Sequence, residues 1–298
     1  MITLTLNPAI DFTVLAGELR AGAVNRVESG GRRPGGKGVN VAAALAREGH
    51  RVSAHGFLGR ENAAEFAAFF DAAEIADNCV RLPGATRLGI KIVDRVRGET
   101  TDLNFPGLGP DAAALRELEA RVDAAEAAWC VLAGSLPPGV PADFYANCIR
   151  RLKARGVRVA LDASGEALRL GLAAGPDVAK PNVHELEEIT CSKLQDTDSL
   201  VAAARGLTAA GTSLVVVSLG AEGAVFVTTD AVVRARGPVI REGSTVGAGD
   251  AMVAGIVASR LEGLSLAECA RRATAYSLRA LAGTGTIAGW AAKVEIAG

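Results

Sequence analysis

The chain opens on an alternation of apolar residues and threonine in ITLTL, where Ile2, Leu4 and Leu6 share one face and predict a strand. Short apolar runs recur downstream in WCVLAG, VRVALD, DVAKPN, LVVVSL and AVFVT. Elsewhere the apolar spacing lengthens to that of a helix, near Val39–Glu48, Glu61–Ala73, Ala112–Ala127 and Pro141–Arg155, and again over Asp250–Leu261. In Ala112–Ala127, for example, Leu115, Leu118 and Val122 fall on one face. Almost continuously apolar strands separated by helical spacers predict an α/β fold, a parallel sheet covered by helices on both faces.

Two stretches break that rhythm. Residues 11–34 and 85–106 are strand-like without intervening helices and richer in charge, so they are expected to pair into a small separate sheet. The remainder, 1–10, 35–84 and 107–298, then forms the layered core.

Composition narrows function more than fold. A chain of 298 residues can bury a substantial core as one large domain. A net charge of -1 with interspersed signs gives no general pull toward nucleic acid or an anionic membrane. Aromatic residues, at 4%, leave few rings for stacking bases. No apolar run reaches transmembrane length, and the N-terminus lacks the basic start of a signal peptide. Cys79, Cys130, Cys148, Cys191 and Cys269 are widely spaced with no C-x-x-C pair, which reads as reduced thiols in the cytoplasm. His50, His55 and His184 lack the partner spacing of a zinc site.

Candidate chemistry concentrates in GSTVGAGDAMVAG, Gly243–Gly255, where a glycine-rich turn runs into a small-residue helix. With only Ala248 between them, Gly247 and Gly249 let successive N–H groups face one anion. The helix start adds its dipole and unpaired donors. Asp250 then reads either as a helix cap or as a general base facing a bound hydroxyl. A second glycine-rich helix start, GRRPGGKGVNVAAAL, points to a second phosphorylated ligand. Its G-x-x-x-x-G-K match over Gly31–Lys37 fails as a Walker loop, because Gly38 replaces the metal-binding hydroxyl residue and NRVES is no apolar strand. As a substrate loop, Gly35 and Gly36 allow close approach, Lys37 supplies charge and Asn40 follows on the same side. Gly283–Ala288 matches a dinucleotide fingerprint but follows a helix and leaves no chain for a βαβ unit.

GGKGVNVA and STVGAGDAMVAG together resemble the two signature motifs of the ribokinase-like sugar kinases, the PfkB family. NPAID, AGSLPPGV, KPNVHELE and VSLGAEGA resemble the phosphosugar branch of that family, and the likeness runs from Thr3 to about Gly285. The resemblance implies a ribokinase-like three-layer αβα sandwich with a mostly parallel central sheet. Residues 11–34 and 85–106 would form a β-sheet lid that keeps water from the phosphoryl group. It implies ATP- and Mg²⁺-dependent phosphorylation of a ketohexose phosphate, foremost fructose 1-phosphate to fructose 1,6-bisphosphate. Tagatose 6-phosphate and fructose 6-phosphate are the alternative acceptors, and a non-catalytic sugar-phosphate sensor is the alternative class.

By the same resemblance Asp250 is the base, and the amides of Gly247, Ala248 and Gly249 stabilise the transferring group. Asp11, in NPAID and expected at the end of the first strand, and Asn104 contact the sugar, while Gly35, Gly36, Lys37, Asn40, Arg87 and Ser135 hold the substrate and its phosphate, with Lys91 and Arg26 as further candidates. Lys180, Asn182 and Glu185 lie in the N-x-x-E region, Glu185 acting on magnesium through water. Ser218, Gly220, Gly223 and Thr245 serve the nucleotide, and Ser277 and Gly283 fall near adenine. Exposed lid edges predict a homodimer through the lid.

Overall fold

Strand alternation sets the layering in the computed structural model, which describes residues 1–240 and 247–298. In the strand Trp129–Ala133, Trp129, Val131 and Ala133 face one core cluster, and Cys130 and Leu132 face the other. The first cluster packs helices Lys37–Ala46, Ala63–Ala72, Ala248–Leu261 and Leu266–Ala282 onto the sheet. On the opposite face lie Ala112–Ala124, Phe144–Ala154 and Gly165–Ala173, with Val183–Thr190 and Thr197–Ala209 beside them. The result is the αβα sandwich that the apolar pattern predicts.

Among the described residues, the central sheet has eleven strands. Ile2–Thr5 lies between Ser53–Gly59 and Trp129–Ala133, and the parallel order continues through Arg158–Asp162 and Val178–Ala179 to Leu214–Ser218. Beyond that point Ala224–Val227, Val232–Arg236 and Glu295–Ala297 add antiparallel. A separate four-stranded sheet runs in the order Val27–Gly35, Ala9–Ala16, Leu88–Asp94, Glu99–Asn104.

The placement of Asp11 corrects the sequence reading. It does not end the first strand, Ile2–Thr5, but lies inside the next, Ala9–Ala16, in the small sheet. Asn7 and Pro8 turn the chain out of the central sheet between the two strands, which is what an Asn-Pro step favours.

The helix Ala248–Leu261 is buried from Asp250 to Ser259. Its small residues have a packing cause: a Cβ on Gly255 would come within 2.7 Å of the Cα of Ala273, so the two helices touch backbone to backbone there.

Candidate active site

The C-terminal ends of the parallel strands converge with two helix starts at one edge of the sheet, the position where open α/β sheets bind ligands. Gly36, at φ 115°, turns the chain into the helix Lys37–Ala46. A Cβ on Gly38 would stand 2.3 Å from Thr5 Oγ1, so only glycine lets this helix start press against the first strand. Gly247, at φ 80°, opens the helix Ala248–Leu261 in the same way. Asn40 Nδ2 donates to Asp250 Oδ2 at 2.8 Å, joining the two helix starts.

Asp250 is 8% exposed. Burial pushes its carboxyl up to about 6, with the nearby Asp162 charge adding to the shift and Asn40, Lys37 and Lys180 opposing it. Asp162 ends the strand Arg158–Asp162 and is 1% exposed. Its Oδ1 accepts from Lys37 Nζ at 2.8 Å, and its Oδ2 lies 3.5 Å from Lys180 Nζ. Burial alone would raise its pKa, but Lys180 and Lys37 outweigh burial and hold it below the usual range. Lys37 shows the converse: burial disfavours its charge, and Asp162 more than offsets that, leaving its pKa raised. A Cβ on Gly249 would sit 3.6 Å from Lys180 Nζ, which places this lysine against the glycine-rich turn.

On the small-sheet side, Asp11 Oδ1 lies 4.0 Å from Lys91 Nζ, which is bonded to Asp102 at 3.0 Å. Burial raises the Asp11 pKa, while Lys91, Arg33 and Arg87 pull it back. The Arg87 guanidinium donates to Asn7 O and Phe105 O, both at 3.2 Å, and reaches Asn104 Oδ1 at 3.4 Å. Burial lowers its pKa. Asn7 Nδ2 donates to Ser135 Oγ at 3.1 Å, so Asn7 connects Arg87 to Ser135.

Two cavities flank the turn. One of about 460 Å³ is lined by Asp11, Arg33, Asn40, Lys91 and Gly247 and extends past Arg47 and Gly283. The other, about 340 Å³, is lined by Ser218, Gly220, Gly223, Ala248, Gly249 and Ser277. Gly283 therefore opens onto the cavity shared with Asp11 rather than the one that holds Ser277. Ser277 Oγ donates to Ala248 O at 2.9 Å.

Asn182 and Glu185 form a reciprocal cap on Val183–Thr190: Asn182 Oδ1 accepts from Glu185 N, and Glu185 Oε2 accepts from Asn182 N, each at 2.9 Å. The cap makes no use of Glu185 Oε1. Arg26 is exposed in the segment before Val27–Gly35, and His184 is exposed on the helix surface. Thr245 lies outside the described residues.

Two polar residues here escaped the sequence reading. Asp162 sits in VALDAS, where an aspartate after an apolar strand reads as an ordinary turn residue. Asn7 was visible only as part of NPAID.

Residues 4–293 match the model of the pfkB family carbohydrate kinases. The 1-phosphofructokinase of Rhodobacter capsulatus is 50% identical over 287 residues, 94% of this chain and 89% of that one. The 1-phosphofructokinase of Xanthomonas campestris pv. campestris is 47% identical over 284 residues, 93% of this chain and 89% of its own length. Among solved structures, the tetrameric inhibited form of phosphofructokinase-2 from Escherichia coli superposes with a TM-score of 0.90 at 30% identity, covering 98% of this chain and 97% of that one. A match across nearly the whole chain, with relatives this similar, makes the protein a member of the pfkB family of carbohydrate kinases.

Proposed function

We propose that the protein transfers the γ-phosphoryl group of ATP to a hydroxyl of fructose 1-phosphate, giving fructose 1,6-bisphosphate. The names and identities of the curated relatives support this acceptor. The chemistry is carried by one observation: a buried carboxylate, Asp250, fixed by Asn40 at a helix start where a glycine turn and two lysines meet.

Asp250 takes the proton of the acceptor hydroxyl. The hydroxyl oxygen forms its bond to the γ-phosphorus as the bond to the β,γ-bridging oxygen breaks, and ADP leaves. A carboxyl raised to about 6 is ionised at neutral pH and is a stronger base than an ordinary aspartate. With Oδ2 held by Asn40, Oδ1 faces the acceptor. The first-turn amides of Gly247, Ala248 and Gly249 have no partner within their own helix and stabilise charge on the transferring group. Lys37, Arg87 and Ser135 hold the substrate phosphate, Gly35 and Gly36 admit it, and Asp11 and Asn104 orient the sugar. Ser218, Gly220, Gly223 and Ser277 seat the nucleotide in the smaller cavity, and Lys180, beside Gly249, and Asn182, bridged to Ser218, stand next to it for the nucleotide phosphates.

Glu185 Oε1 fits a Mg²⁺ held mostly by nucleotide phosphates and water, the coordination this reluctantly dehydrated ion favours. Magnesium, when bound, neutralises charge on those phosphates. The small sheet would act as a lid, and two copies would pair through it in a cytoplasmic homodimer. The free thiols and the exposed sheet edges support that reading.

The test is initial-rate ADP formation with ATP and Mg²⁺ against fructose 1-phosphate, fructose 6-phosphate, tagatose 6-phosphate and free fructose. The expected result is the highest kcat/KM for fructose 1-phosphate. A preference for either 6-phosphate would reverse the sugar in the site, and turnover that no sugar stimulates would sink the kinase reading.

A further inference from the structure

We propose that Asp162 is a positioning residue that holds the phosphate-binding lysines of the two halves of the site, Lys37 and Lys180, on one buried carboxylate. The inference rests on the kinase reading above, in which Lys37 serves the phosphosugar and Lys180 the nucleotide.

Lys37 opens the helix after the first glycine motif, and Lys180 follows the strand Val178–Ala179. They come from different parts of the chain, yet each reaches a different oxygen of Asp162, at 2.8 and 3.5 Å. Asp162 is fixed by the central strand it ends, and the main chain on either side is tied as well: Gly134 N donates to Asp162 O, and Lys180 N donates to Leu161 O. The carboxylate is a rigid post rather than a mobile surface acid.

Electrostatics make the post necessary. Lys180 is 6% exposed, and burying an ammonium that deeply without a partner carries a large desolvation cost. Two ammoniums converging on one phosphate site also repel each other. A single carboxylate between them offsets both costs and leaves the trio with a net positive charge beside the Gly247–Gly249 turn, where phosphate is to bind. The trio spans the two ligands, so a displaced Asp162 misplaces the acceptor end and the donor end together. Among the described residues, the other charged groups facing it are Asp250, from the helix start opposite, and Glu185, from the Val183–Thr190 helix.

The experiment is a set of double-mutant cycles on steady-state kinetics, with Lys37→Met and Lys180→Met made in the wild-type and Asp162→Asn backgrounds. Asp162→Asn is expected to lower kcat about 100-fold, the scale of a misplacement of about 1 Å, and to raise both KM values. Each lysine substitution should cost much less in the Asp162→Asn background than alone, because the carboxylate and lysines act as a unit. Should Asp162→Asn fail to fold, Asp162→Asn with Lys180→Met removes the stranded buried ammonium, and the Lys37→Met effect is read in that background. Lysine effects that persist at full size without Asp162 would overturn the proposal. So would an Asp162→Asn loss confined to a higher requirement for free Mg²⁺. If both lysine substitutions leave wild-type kinetics unchanged, the kinase assignment of the lysines fails instead.

Discussion

Burial of Asp250 has opposite consequences for stability and for chemistry. Folding raises its pKa to about 6, so the folded chain holds that proton more tightly than the unfolded one. Stability from this group is full below the unfolded carboxyl pKa and is lost as pH rises through about 6. Above that window the ionised carboxylate costs the fold about 2 to 3 kcal/mol, by the usual conversion of pKa shifts. Asp250→Asn should therefore melt higher than wild type at pH 7.5, with the gap closing toward pH 4, as differential scanning calorimetry at both pH values would record. The same substitution should lower kcat about 10²- to 10⁴-fold, the range for a lost general base. Wild-type kcat/KM should fall on the acid side with an apparent pKa near 6. Near wild-type turnover in Asp250→Asn would remove the base assignment. Asp250 and Asn40 stood out in the sequence because glycine-rich helix starts announce themselves locally. Asp162 did not, because its meaning comes from Lys37 and Lys180, which only the folded sheet brings to it.

Single elements here carry structure and function on the same residues, and substitutions can separate the two. The cap on Val183–Thr190 uses the Asn182 side chain and one oxygen of Glu185. Asn182→Ala should lower stability by about 1 kcal/mol through the lost cap. Glu185→Gln keeps an oxygen for Asn182 N, so its urea midpoint should stay close to wild type while its apparent Mg²⁺ requirement rises. A Glu185→Gln enzyme with unchanged Mg²⁺ dependence would reduce Glu185 to its cap. In the buried helix Ala248–Leu261, Gly255→Leu would force apart two backbones in contact and should destabilise by about 3 kcal/mol, the upper range for overpacking. Parallel strands such as Trp129–Ala133 and Leu214–Ser218 were legible as apolar runs that both helical layers cover, whereas Ser53–Gly59, broken by serine, histidine and glycine, was not. The helix Leu266–Ala282 carried a readable start, Ser265 with Glu268 as a capping box, that the apolar pattern did not draw out. The antiparallel edge was harder: Val232–Arg236 pairs with Glu295–Ala297, and no local pattern states such a pairing.

For the molecule as a whole, the question is what completes the small sheet. One of its edge strands, Glu99–Asn104, is exposed along its full length, and Val24, Val27, Val96, Leu103 and Phe105 project apolar surface from the sheet and its connections. Unpaired edges and exposed apolar side chains are what monomeric proteins avoid and what a second copy would cover. The outer strand Val27–Gly35 meets the core helices through weak side-chain contacts, among them Arg33 with Asn40 at 3.3 Å. Arg32 pairs with Glu65 at 2.8 Å across half-exposed side chains, a contact worth about 1 kcal/mol or less. If the sheet is a lid, so slight an attachment lets it move, and a partner copy would supply the rigidity needed to set Asp11, Lys91 and Asn104 around the sugar. The wild-type chain should then elute from gel filtration at twice its 30.4 kDa mass at assay concentration. Leu103→Asp, which places a charge on the exposed edge, should shift it toward the monomer and raise the KM for the phosphosugar more than that for ATP. A wild-type monomer with full activity would show instead that the sheet closes the site alone, and the apolar edge would need another occupant.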